Sequence, residues 1–231
     1  MTAHSQASLV HVPYSWSYAD AAARIAATGF VTTDVGKLAR QLDDNSLWML
    51  TDDSPVTWTP INTGRTLIQS QTPTGTGTVS FTSIPATYKK LIIEYVARGT
   101  AVATSVSMDI ELNADTTDAN YRRQFLNAHT STTVAGGGAD DNVVDDAVIA
   151  STGPANEASY GIIEIPFYAL TTFYKQILSR YAHRRDTSSV QQQLDVRIID
   201  WENTAAVNRV DLILASGNFD TGSTINLYGE Q

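Results

Sequence analysis

Trp201-Glu-Asn-Thr-Ala-Ala-Val-Asn-Arg-Val-Asp-Leu-Ile-Leu-Ala-Ser-Gly-Asn-Phe-Asp-Thr-Gly-Ser-Thr-Ile-Asn-Leu-Tyr-Gly229 holds two strand signatures with a turn between them. Val210, Leu212 and Leu214 alternate with Arg209, Asp211 and Ile213, the period-two pattern of a strand in a sheet. Ser216-Gly217-Asn218 and Asp220-Thr221-Gly222 then turn the chain, because Gly and Asn accept a positive φ at little steric cost. Ser223 to Tyr228 alternates again. A terminal segment patterned in this way is expected to sit inside a sheet rather than to fray.

The same rhythm extends upstream. Ser105-Val-Ser-Met-Asp-Ile-Glu-Leu112 is the clearest strand, with Val106, Met108, Ile110 and Leu112 inward and Ser107, Asp109 and Glu111 outward. Further strands are predicted at Val79–Phe81, Lys90–Ala97, around Tyr121, Arg123 and Phe125, at Tyr160–Tyr168, Phe173–Tyr181 and Val190–Trp201. In the last of these Val190, Gln192, Leu194, Val196 and Ile198 share a face. Nine or ten strands separated by turn residues, without helical crossovers, predict an all-β antiparallel β-sandwich, jelly-roll-like, over residues 78–231. His129 to Ser159 breaks the rhythm. Its Gly136-Gly137-Gly138 and clustered Asp read as one long loop, with room for a short strand at 143–149, and such loops tend to be functional.

Residues 1–61 form a different unit. The first seventeen read as an extended arm with Tyr14 and Trp16 as anchors. Tyr18 to Ala27 favours a short helix capped by Ser17, with Tyr18, Ala22 and Ile25 on one face. A small three-stranded meander follows, at 37–42, 47–51 and 56–61, with Asp/Asn/Ser/Pro turns. It is too small for a core of its own, so Trp48 and Trp58 are expected to pack on the helix or on another subunit. Residues 62–77 are a Thr/Gly/Pro-rich linker that holds a lead-in strand at 66–71.

Composition narrows function. The chain has 231 residues, 17% of them charged, and a net charge of −9. An acidic surface opposes phosphate neutralisation, so nucleic acid is not an expected partner. There is no cysteine, which removes disulfides and thiol chemistry. No run approaches the roughly 18 apolar residues of a membrane span, and Met1 to Val12 lacks a signal-peptide pattern. Neither HExxH, nor Gly-x-Ser-x-Gly, nor a phosphate-binding loop is present. Asp140, Asp141, Asp145 and Asp146 are the one metal candidate, for calcium, although turn-forming solvated Asp explains them as well. No cofactor is expected. Tyr160, Tyr168, Phe173, Tyr174 and Tyr181 are candidates for a carbohydrate- or partner-binding face, with core and subunit-interface packing the favoured alternative.

Two stretches carry a family resemblance. Gly36 to Trp58, preceded by Tyr18-Ala-Asp-Ala-Ala-Ala-Arg24 and Ala27-Thr-Gly-Phe-Val31, resembles a small module of tailed-bacteriophage structural proteins. Ser216-Gly-Asn-Phe-x-Thr-Gly-Ser223 with Leu227-Tyr-Gly229 is similar to the end of trimeric β domains of that class. Together they cover about a quarter of the chain and bring no catalytic residues. The resemblance implies a non-enzymatic virion protein, a homotrimer, attached to other tail or capsid proteins through Tyr14, Trp16, Trp48 and Trp58. Host adhesion as a short tail fibre or receptor-binding protein would then fall to a distal loop with His129, Gly136, Gly137, Gly138 and Asn142, facing a host surface glycan or protein. The alternative is a head decoration or cement protein. A glycan-cleaving tailspike is a third reading, weakened by the lack of a positioned acid/base pair.

Overall fold

The computed structural model describes residues 14–43, 46–61, 64–129, 132–139, 146–184 and 192–230. The chain divides into two compact units, Met1–Gly64 and Arg65–Gln231.

The small unit is a four-stranded sheet of β1 (Trp16–Tyr18), β2 (Leu38–Gln41), β3 (Leu47–Asp53) and β4 (Val56–Pro60), in that order. β2, β3 and β4 form the expected antiparallel meander, while β1 adds to its edge in parallel. The helix α1 (Ala21–Ile25) is shorter than the sequence suggests. Tyr18 is drawn into β1 by pairing with Gln41, so the N-cap is Asp20, whose carboxylate accepts the Ala23 N–H at 2.8 Å, and not Ser17. The expected buried face is also corrected. Ile25 is 69% exposed, whereas Arg24 is buried, with its guanidinium carbon 3.5 Å from the Trp48 ring centre and its Nε donating to Gln41. Trp16, Phe30 and Trp58 meet edge to face at centroid distances of 5.1–5.8 Å, and Tyr18 adds a fourth ring at 5.9 Å from Trp58. A module this small gains its cohesion from large rings rather than from layers of aliphatic side chains.

The large unit is the expected antiparallel sandwich. Its twelve described strands are β5 (Arg65–Gln71), β6 (Thr78–Phe81), β7 (Lys90–Ala97), β8 (Ser105–Leu112), β9 (Tyr121–His129), β10 (Thr132–Ala139), β11 (Asp146–Ile149), β12 (Ser159–Pro166), β13 (Lys175–Arg184), β14 (Gln192–Trp201), β15 (Val210–Leu214) and β16 (Thr224–Glu230). Eight of them form one sheet in the order β10-β9-β14-β13-β12-β7-β16-β5, and β11-β8-β15-β6 form the other. Leu91, Ile93, Tyr95, Ile163 and Leu227 of the first sheet meet Phe81, Met108, Ile110 and Leu212 of the second in one core. Alternation along β8 is strict, as expected from its sequence.

The long loop expected at 129–159 is overturned. His129 closes β9, and Gly136, Gly137 and Gly138 lie within β10, paired with Phe125, Gln124 and Arg123. β11 pairs with β8. The glycine triplet is a strand composition here, and Gly136 shows why. A Cβ at this position would lie 2.9 Å from the tip of the Phe125 ring, so the absent side chain admits the ring. The lead-in strand at 66–71 belongs to the sandwich as β5, an edge strand paired with β16.

Candidate functional site: an aromatic groove beside the β12–β13 connection

The connection between β12 and β13 is pinned at both ends. Tyr168 is buried, donates its hydroxyl to Pro85 O and accepts from Tyr88 N–H at 3.4 Å. Its carbonyl takes the Val207 N–H at 2.9 Å. At the far end Lys175 is buried, and its Nζ donates to Phe173 O at 2.9 Å and Thr204 O at 3.2 Å. Burial pushes this ammonium below the usual lysine range. These anchors leave the intervening side chains facing outward.

Phe167 departs from ordinary backbone geometry, with a φ of 50°. A bulky residue in the left-handed region costs on the order of 1 kcal/mol or more, and the Phe167 N–H bond to Lys89 O at 2.7 Å holds it there. The result is an exposed ring beside exposed Leu170, Phe173 and Tyr174, with Phe173 at 71%. Strain of this kind persists where the surroundings impose it and concentrates at ligand clamps.

With Pro166, Gln176 and Asp200, these four residues line a groove of 620 Å³, within the usual range for small-molecule sites. Gln176 and Asp200 are cross-strand partners on β13 and β14, so both side chains rise from one face of the sheet. Asp200 Oδ1 is shielded from solvent and has no hydrogen-bond partner. A shielded carboxylate oxygen without a partner is costly and calls for an explanation. The groove therefore combines flat apolar ring faces with the amide of Gln176 and the carboxylate of Asp200.

The aromatics named from the sequence separate into two groups. Tyr168 and Tyr181 are buried, while Tyr160, Phe173 and Tyr174 are exposed, and only Phe173 and Tyr174 line the groove. Phe167 and Asp200 were not anticipated, since neither a positive φ nor a pairing between β13 and β14 leaves a local mark. Trp16, Trp48 and Trp58 pack within the small unit, each keeping part of its surface open, and the Arg40 guanidinium stands 6.0 Å from the Tyr14 ring. His183 is buried and stacked on Tyr181, with centroids 5.9 Å apart. Asp140, Asp141, Asp145 and Asn142 lie outside the described residues, and Asp146 begins β11. Among the described residues no group of three or more His, Cys, Asp or Glu gathers as a metal site.

Asp115, in the turn between β8 and β9, has a structural role. It accepts from Trp201 Nε1 at 2.8 Å, Asn120 Nδ2 at 2.7 Å and Thr117 N–H at 3.1 Å. No protein-family model, curated protein or solved structure matches the chain.

Proposed function

We propose that the chain is a non-enzymatic structural protein of a tailed-bacteriophage-type virion, serving in adhesion by binding a saccharide of the host surface in the groove between the β12–β13 connection and Asp200. The observation that carries this reading is the pairing of exposed ring faces with an amide and a carboxylate along one groove. A pyranose presents the complement, an apolar C–H face for Phe167, Phe173 or Tyr174 and hydroxyl donors for Asp200 and Gln176. Hydrogen bonds from sugar hydroxyls to these polar groups supply specificity, because a ligand lacking the hydroxyl leaves its partner unpaired. The small aromatic unit supports the assignment of particle attachment to residues 1–61, and the module resemblance lies in the same residues.

The test is binding of the full chain to a panel of purified bacterial lipopolysaccharides and capsular polysaccharides. The expected result is saturable binding to at least one, weakened at least tenfold by Phe173→Ala and by Asp200→Asn. Binding to none, or binding that both variants retain, overturns the groove as the adhesive site. Release of reducing ends from a bound polysaccharide would move the protein to the glycan-cleaving class. Immunogold labelling confined to the capsid would assign it to head decoration instead of the tail.

A further inference from the structure

Across β9, β14, β13, β12 and β7 the outer face of the larger sheet carries rows of apolar side chains where a solvated face would be polar. On β14 the inward positions are Asp195, Arg197, Ile199 and Trp201, and the outward ones include Leu194, Val196 and Ile198. Register carries the outward set across the sheet, since directly paired residues point the same way. Leu194 lies beside Ala128 on one side and Ala182 on the other, and Tyr160 and Val96 continue that row. Leu126 and Val196 are partners in the next row, and Ile198 and Leu178 in the row after. Leu194 is 55% exposed and Leu126 51%. Contiguous apolar surface of this kind marks an interaction site.

We infer that this face is a homotypic interface, covered by a second copy of the chain. Charge selects that occupant. The chain carries a net charge of −9, so two copies repel unless they meet on neutral ground. Interleaved with the apolar rows is a balanced ionic network: Lys90 with Glu164 and Glu230, each at 3.1 Å, Arg180 with Glu164 at 3.2 Å, and Arg65 with Glu94. Three cations face three carboxylates in this network, so the part of the face that it covers offers no net charge for a strongly basic or strongly acidic partner to read. A neutral, apolar, internally paired surface is complementary to itself.

Area points the same way. Together the apolar rows and the ionic network span the six strands β9, β14, β13, β12, β7 and β16, about 4.8 Å apart and seven to ten residues long at about 3.3 Å per residue, which cover roughly 800 Å², about one partner's share of a stable protein–protein interface. The inference stands apart from the saccharide groove, whose residues lie toward one end of the face, and either can fail without the other.

The test is the mass of the full chain by light scattering and sedimentation between about 1 and 100 μM. The expected result is a dimer or trimer that Leu194→Glu and, separately, Leu126→Glu weaken at least 100-fold. Both positions are half exposed, so the variants should keep the wild-type far-UV circular dichroism, and Phe173→Ala should leave the mass unchanged. A monomer at 100 μM overturns the inference, as does an oligomer that survives both Glu substitutions in folded protein. Loss of secondary structure in either Glu variant would equally count against it, because it would show the face to be internal to the fold. Oligomers that bind polysaccharide normally after Leu194→Glu has made them monomeric would uphold the interface and separate it from adhesion.

Discussion

Asp115 joins three parts of the fold through one carboxylate. Its bond from Trp201 Nε1 spans 86 positions of chain, and Trp201 is itself buried. Beside it the Tyr121 hydroxyl accepts the Leu112 N–H at 3.1 Å and donates to Asp115 O at 3.0 Å, which closes the turn between β8 and β9. Asp115→Ala leaves the indole N–H without its acceptor and should cost about 1–2 kcal/mol, read as a lower denaturation midpoint with an unchanged slope. The charge gives a second readout. Burial raises the carboxyl pKa, but bonds from Trp201, Asn120 and Thr117 outweigh it and hold the group below its ordinary value. A lowered folded pKa contributes stability above the unfolded value, near 3.9, and loses it as pH falls through the lower folded value. The part of the gap between wild type and Asp115→Asn that comes from charge should therefore be constant above about pH 5 and shrink below pH 3.9. A gap independent of pH would assign the effect to shape alone. Nothing local in the sequence marks this role, because the partner Trp201 is distant in the chain.

At the scale of elements, Arg98 organises the connection from β11 to β12. Its guanidinium donates to the carbonyls of Pro154 at 2.9 Å, Glu157 at 2.8 Å, Ala150 at 3.0 Å and Gly153 at 3.3 Å. The planar fork with its fixed donors suits several carbonyls at once, which a lysine ammonium cannot match. Arg98→Lys is expected to lose about 2–4 kcal/mol and to raise hydrogen exchange across 150–157 beyond the rest of the molecule. Uniform exchange across the fold would show that the loop holds without it. Strand positions in β7, β8, β15 and β16 were legible because apolar alternation is local and both sheets use it. The 129–159 region was not, since glycine in a strand and glycine in a loop look alike until the Phe125 ring that needs the space is known. The helix was overextended for a related reason. Propensity favoured Tyr18, but pairing with Gln41 offered its backbone a better set of bonds. The groove was half legible: aromatic content announced Phe173 and Tyr174, whereas Asp200 enters only through its register with Gln176.

At the scale of the whole molecule, the segment ending in Leu227-Tyr228-Gly229 closes the larger sheet from within. β16 lies between β7 and β5, and among the described strands β5 has no other neighbour. Its alternation could be read directly, yet its partners begin at Lys90 and Arg65, too far away in sequence for pattern alone to pair them. Ile225 and Leu227 are fully buried, worth about 1.5–3 kcal/mol each. Gly229 lets the Tyr88 ring approach to where a Cβ would sit only 2.3 Å from it. Ending the chain at Ala215 would remove these contacts, free β5, and turn β7, which carries Leu91, Ile93 and Tyr95 of the core, into an unpaired edge. A domain of ordinary stability has about 5–15 kcal/mol in total, and losing two strands of the sheet together with part of the core exceeds that margin. Residues 1–215 should therefore show no cooperative unfolding of the larger unit by calorimetry and should aggregate on expression. The small unit contains its own sheet and aromatic cluster, so any residual transition should report tryptophan fluorescence from Trp16, Trp48 and Trp58 and not from Trp201. A soluble truncated chain whose Trp201 signal still melts cooperatively would mean that β7 tolerates an open edge and that the sandwich is held mainly by β8, β12 and β15.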